Sequence, residues 1–91
     1  MKAVVKIPTS LRGLTGGSSI VEVPTGRLSE VITSLTDTYP ELGERLLDEA
    51  GDLRRFVNVF VDDDDIRFLD HLETTVSPGQ VVTILPAVAG G

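Results

Sequence analysis

The sequence contains no cysteine and no tryptophan, and it carries a single tyrosine. Without cysteine there is no disulfide, no thiolate metal site and no cysteine nucleophile. Basic residues are also scarce: eight Lys and Arg stand against fourteen Asp and Glu, for a net charge of −6. That balance disfavours nucleic acid and anionic membranes, where binding rests on Lys and Arg neutralising phosphates. A partner with a basic surface suits it better, although an acidic balance also serves solubility. No secretory apolar region follows Met1, and no apolar run is long enough to cross a bilayer. A soluble, cytoplasmic chain, monomeric by itself, is therefore the expectation. What remains is an ample supply of Val, Leu and Ile in 91 residues, enough for one domain with one modest core.

Periodicity divides the chain. Lys2–Ile7 alternates, with Ala3, Val5 and Ile7 on one side and Lys2 and Lys6 on the other, as in a strand. Pro8 ends it, and a glycine-rich connection through Gly16-Gly17 leads to a second strand, Ser19–Val23, with Val21 and Val23 inward. The pair reads as a hairpin. The period then changes, because Leu28, Val31, Ile32, Leu35 and Tyr39 form one stripe of an amphipathic helix that Pro40 stops. A short helical turn with Leu42, Leu46 and Leu47 inward follows, closed by Gly51. Arg55–Val61 reads as a strand with Val57, Val59 and Val61 facing the helix and Phe56, Asn58 and Phe60 on the other face. Four aspartates then make a turn, Ile66–Phe68 is a short extended piece, and an irregular stretch passes Leu72 and Val76. After the Pro78-Gly79 turn, Gln80–Leu85 is the last strand, and Pro86 opposes further continuation of a central ladder. One useful helix on one face of a mixed sheet is an α+β architecture.

The end of the chain, Pro86-Ala87-Val88-Ala89-Gly90-Gly91, carries the chemistry. Six residues extend at most about 20 Å, at ~3.3–3.6 Å each. Glycine has no Cβ, so this thin end can approach another protein's active site closely. A terminal carboxyl ordinarily ionises near pH 3.3–3.7, roughly, and is a carboxylate at neutral pH. It is a poor acyl donor but a competent nucleophile toward the α-phosphorus of ATP. Once adenylated, its carbonyl accepts sulfide or an amine. Gly-Gly alone is also what a frayed terminus looks like, so the tail has to be read with the domain before it.

Strand-strand-helix-strand-strand with a terminal Gly-Gly resembles the β-grasp, ubiquitin-like fold. The whole chain from Lys2 to Gly91 is similar to the ThiS/MoaD family of bacterial sulfur carriers. The residues carrying the likeness are the helix motif Leu28–Leu35, the strand Phe56-Val57-Asn58-Val59-Phe60-Val61, the turn Val76–Val82 and the ending Thr83–Gly91. Within the family it looks most like the branch supplying sulfur for cysteine synthesis. Molybdopterin carriers end similarly. The resemblance implies a mixed sheet of four to five strands on one main helix, a β-grasp domain over 1–86 and a flexible tail over 87–91. It implies that a partner adenylyltransferase/sulfurtransferase activates Gly91, which then becomes a thiocarboxylate. Ala87, Val88, Ala89, Gly90 and Gly91 would enter the partner's active site, with Gly90 in its narrowest part. The chain would be a protein co-substrate rather than an enzyme and would bind no cofactor. ATP, Mg and pyridoxal phosphate would belong to partners, among them a pyridoxal-phosphate cysteine synthase and a metalloprotease that processes the carrier afterwards. The same tail would serve a carrier for molybdopterin or thiamine synthesis, or a ubiquitin-like modifier joined to lysines through Gly91.

Other features have plainer readings. Asp62–Asp65 starts like a calcium loop, but Ile66 takes a ligand position and Arg67 stands where glycine is needed, so a solvated turn fits better. His71 has no Cys or second His to complete a metal site. Thr15-Gly16-Gly17 lacks the lysine and spacing of a phosphate loop. The Phe56, Asn58 and Phe60 face has two open readings, a small second core under a loop or an exposed patch that docks a partner.

Overall fold

The computed structural model describes residues 2–55 and 57–86, with Pro86 described by its backbone. Strand β1 (Lys2–Lys6) pairs antiparallel with β2 (Ile20–Pro24), Val5 opposite Val21, which is the expected hairpin. Its inward residues Ala3 and Val5 are fully buried, as is Ile7 just beyond; on β2, Val23 is buried and Val21 half-buried. The link between the two strands is not the open glycine-rich connection expected. Thr9–Thr15 is a 3-10 helix, with Leu11 and Thr15 buried and Gly16 closing it at φ 64°. The buried Thr15 hydroxyl lies 2.8 Å from the Ser18 carbonyl and so keeps its hydrogen bond inside the protein.

A two-residue strand, β3 (Gly26–Arg27), leads into helix α1 (Leu28–Thr38). The helix starts there because the Glu30 carboxylate reaches back to accept the Arg27 backbone N–H at 3.0 Å. Gly26, at φ 148°, leaves room for it: a Cβ there would lie 3.0 Å from Glu30 Oε1. Leu28, Val31, Ile32 and Leu35 form the buried stripe. Pro40 opens α2 (Pro40–Leu46), where the missing N–H of proline is harmless. Leu42 and Leu46 are buried and Leu47 is half-buried. Gly51 does not close α2 as expected. It sits at φ 86° in the next turn, whose backbone N–H groups at Ala50 and Asp52 donate to the Asp48 carboxylate.

Strand β4 (Val57–Val61) buries Val57, Val59 and Val61, as its alternation requires. Asp62 and Asp63 turn the chain into β5 (Asp64–Asp65), which pairs with Phe60 and Val61. The extended piece expected at Ile66–Phe68 is instead a 3-10 helix, started by the Asp65 carboxylate accepting the Arg67 N–H. A second 3-10 turn, His71–Glu73, precedes β6 (Thr75–Val76), which pairs with β3 and buries Val76. The last strand, β7, runs Val81–Pro86.

The main sheet is mixed and five-stranded, in the order β2-β1-β7-β4-β5, with β1 and β7 parallel. The helices cover one face of it, and the chain has the β-grasp architecture. β7 is the middle strand, and it includes Pro86, one residue beyond the expected end. The hydrogen bonds Val4 N–H to Gln80 O and Asp62 N–H to Val81 O show that even-numbered residues of β7 direct their backbone groups toward β1. β1 parts company after Lys6 opposite Thr83. At Pro86 no donor is called for, so proline is tolerated there.

Candidate functional site

The expected working residues Ala87, Val88, Ala89, Gly90 and Gly91 lie outside the described residues, as does Phe56. What the structure positions is the root of the tail. Pro86 stands opposite Val57 at the end of the central strand, and Val82 and Ile84 of that strand are almost wholly buried. The last described residue therefore leaves from the middle strand of the sheet, held there by β4 on one flank, since β1 has already parted from β7 after Thr83.

Around that root lies the uncovered face of the sheet. Registers place Ile20, Lys6, Thr83 and Phe60 in one row across β2, β1, β7 and β4, with Leu85 and Asn58 in the next row. Ile20 is 54% exposed and Leu85 46%. Asn58 and Phe60 are half-buried on this face. Asn58 Oδ1 accepts a bond of 3.1 Å from Arg67, whose guanidinium also pairs with Asp65 at 2.8 Å. The 3-10 segment thus closes over the Asn58 end of the face, while Leu85 and Ile20 stay open. Phe68, on that segment, is 87% exposed.

The aspartate run is built into the fold. Asp62, at φ 54°, accepts the Val81 N–H at 3.0 Å through one carboxylate oxygen and the Gln80 amide at 3.0 Å through the other. These bonds, the backbone one foremost, hold its carboxyl below the usual range of 3.8. Asp65 is lowered too, first by the Arg67 side chain and then by the Arg67 N–H. Both carboxylates are committed to one hairpin and its neighbours. Among the described residues no group of three or more His, Cys, Asp or Glu could hold a metal ion, and no helix is long and apolar enough to cross a membrane. His71 is exposed, at φ 52°.

A further feature had no signal in any local stretch of sequence. Arg54, Arg55, Arg67 and His71 rim a concavity of about 230 Å³ floored by Val57 and Ile66. The turn into β4 and the β5–3-10 segment bring together residues more than ten apart in sequence.

A mixed sheet with helices α1 and α2 on one face and its last strand in the middle defines a ubiquitin-like, β-grasp domain. The description ThiS family matches residues 5–91, and the chain belongs to that family. It is similar to the sulfur carrier protein CysO of Mycobacterium tuberculosis, 47% identical over 93 residues and covering all of both chains. It is also similar to a chain in the crystal structure of the Amycolatopsis orientalis BexX/CysO complex. The identity is 44%, the TM-score 0.90, and the match covers 98% of this chain and 99% of that one. Small archaeal modifier protein 1 of Methanosarcina acetivorans superposes with a TM-score of 0.87 at 28% identity, covering 99% and 96% of the two chains.

Proposed function

We propose that this protein is a sulfur carrier whose Gly91 carboxylate is activated by a partner and converted to a thiocarboxylate for cysteine synthesis. The observation that carries the proposal is that the family match continues to Gly91, beyond the last strand residue Pro86. A β-grasp fold alone would not require that.

In the first step a Gly91 carboxylate oxygen attacks the α-phosphorus of ATP. The bond from that phosphorus to the β-phosphate oxygen breaks, and pyrophosphate leaves. The acyl-adenylate is electrophilic because its leaving group is a stable phosphate monoester. Sulfide then adds to the acyl carbon, AMP departs, and the thiocarboxylate remains. Its sulfur is a soft nucleophile at neutral pH and can pass to an acceptor held by a second enzyme. ATP, Mg and pyridoxal phosphate act in the partners: an adenylyltransferase/sulfurtransferase, a cysteine synthase and a metalloprotease that trims the product. The chain itself contributes presentation. Residues 1–86 form the domain that is held, and residues 87–91 form the part that reaches. A tail ending in two glycines fits a channel that excludes side chains. Leu85 and Phe60, on the face beside the tail root, supply apolar contact for the activating partner. The ATP that activation consumes is supplied in the cytoplasm, the place of work on this reading.

Intact-mass spectrometry of the protein isolated from its own host tests this. The expected species is heavier by the exchange of one oxygen for sulfur, and it disappears when Gly90 and Gly91 are deleted. Rescue of a deletion strain by cysteine alone selects the cysteine pathway over molybdopterin and thiamine. The likeness to an archaeal modifier protein favours one second reading, transfer of the activated Gly91 to lysines. Conjugate ladders that depend on Gly91, without the sulfur-bearing species, would replace the carrier reading with that one.

A further inference from the structure

The surface of this protein is acidic overall, with a net charge of −6, yet one concavity has the opposite character. Arg54, Arg55 and Arg67 stand around it with His71, and Asp65 is its one acidic lining residue. That carboxylate is already paired with Arg67 at 2.8 Å. Among the described residues the ion pairs are Arg67–Asp65 and Arg27–Glu73, so neither Arg54 nor Arg55 has a carboxylate partner. Arg54 Nε donates to the Glu44 carbonyl at 3.0 Å, which fixes the guanidinium against the end of α2 without neutralising it. Arg55 is exposed. The floor is apolar, from Val57 and Ile66.

Position adds to charge. β5 pairs only with Phe60 and Val61, so the Val57 end of β4 has no strand neighbour on that side, and its Val57 N–H donates to the Arg54 carbonyl at 3.0 Å. Val57 stands opposite Pro86, which puts the concavity at the same end of the sheet as the tail root. A groove with a cationic rim and an apolar floor fits an extended peptide in which an apolar residue lies between carboxylates. The apolar side chain would occupy the floor. The flanking carboxylates would meet guanidinium groups, which suit them through planar, paired hydrogen bonds. Surface charges are screened within about 8–10 Å at ordinary salt. The local cationic rim, and not the distant negative charge of the domain, is therefore what a bound segment would sense.

We propose that this concavity docks an acidic, extended segment of the protein that receives the tail, fixing the carrier beside the active site that Gly91 enters. The proposal rests on the carrier reading for the identity of the partner, but the site itself does not depend on it.

The test is titration of the full-length, isotopically labelled protein with a synthetic peptide carrying one isoleucine flanked on each side by two glutamates. Amide shifts are expected at Leu53–Val59 and Ile66–His71, saturating with the acidic peptide and absent with a counterpart bearing lysines for glutamates. The Arg54→Glu/Arg55→Glu double variant is expected to raise Kd at least about tenfold, since each reversal removes an attraction and adds a repulsion. Arg55→Ala is expected to weaken binding in the same direction with a smaller change. Lys2→Glu, on β1, is expected to leave it unchanged. Equal binding of the lysine peptide, unchanged affinity in the double variant, or the same shifts from inorganic pyrophosphate at lower concentration would overturn the proposal. The last result would make the concavity a small-anion site. A Gly91 that is never activated would leave the peptide titration intact, so the two readings fail separately.

Discussion

Replacing Gly43 by alanine tests whether α1 and α2 are packed at backbone contact. A Cβ at position 43 would fall 2.5 Å from both Cγ2 and Oγ1 of Thr36 and 2.9 Å from its Cβ. Carbon atoms in ordinary contact are about 3.5–4.0 Å apart, so the overlap is roughly an ångström on two atoms at once. Turning the Thr36 side chain does not relieve it, because the Thr36 Cβ is itself too close. That side chain is also held, its hydroxyl donating to the Ile32 carbonyl at 2.9 Å. The helices must therefore move apart, and overpacking of this kind costs about 1–3 kcal/mol. Alanine returns at most ~1 kcal/mol of helix propensity over glycine. With the full propensity gain returned, the net loss is up to about 2 kcal/mol, which for a domain this size lowers Tm by up to about 16 °C. Gly13→Ala is the matched control, since a Cβ there meets nothing within 4 Å. It should leave stability unchanged or raise it by up to ~1 kcal/mol. Far-UV circular dichroism with urea and heat reads both variants. If Gly43→Ala proves as stable as Gly13→Ala, the packing argument is wrong. In a double-mutant cycle Thr36→Ala should recover part of the loss, because it removes the two nearest atoms.

Two further predictions concern the sheet and its hairpin. The Asp62 carboxyl is lowered from 3.8 in the folded state, so the stability it confers is fully present above that value and is lost as pH falls through the lower native one. Asp62→Asn tolerates the left-handed backbone but cannot lose a charge, and acid titration of its unfolding midpoint below pH 3.8 should be flatter than that of the parent. A slope as steep as the parent's would remove Asp62 from the explanation. At the tail root, Leu85→Asp puts a charge on a side chain already 46% exposed. It should leave Tm within a few degrees while lowering kcat/KM for adenylation by the activating partner about 10–30-fold, the loss of roughly 1.4–2 kcal/mol of interface contact. Ile20→Asp, at the far edge of the same face, should have a much smaller effect. Equal losses in the two variants would point to a general charge effect instead of a docking contact.

The residues that advertised their structure are those where one face is buried and the repeat is long enough to show. Ala3-Val5-Ile7, Val57-Val59-Val61 and the Leu28–Leu35 stripe carry their periods openly, and all are buried where expected. The segments misread are those in which tertiary contacts decide. Asp64–Asp65 forms a strand against the preference of aspartate, because the Asp62–Asp63 turn delivers it beside Phe60 and Val61. The β3–β6 pair is two residues long on each side, too short for an alternation to appear. Thr9–Thr15 coils because Leu11 and Thr15 find the interior, and the glycines around them disguise that in sequence.

The candidate site divides along the same line. The proposed covalent chemistry depends on residue types in order along the chain, so the Gly90-Gly91 end can be proposed without a fold. Recognition belongs to residues that folding brings together, and Arg54, Arg55, Arg67 and His71 form a rim only after β4 and the 3-10 segment have packed. On the proposed reading the reactive group is the Gly91 carboxylate, flanked by glycine, and selectivity among partners cannot come from side chains beside it. The folded domain must supply it, from surfaces near the tail root. The open sheet face at Leu85 and the cationic concavity at Arg54 and Arg55 lie next to the Val57–Pro86 pair. A partner that engaged only the tail would discriminate poorly among carriers with similar endings. One that also grips either surface reads the whole domain.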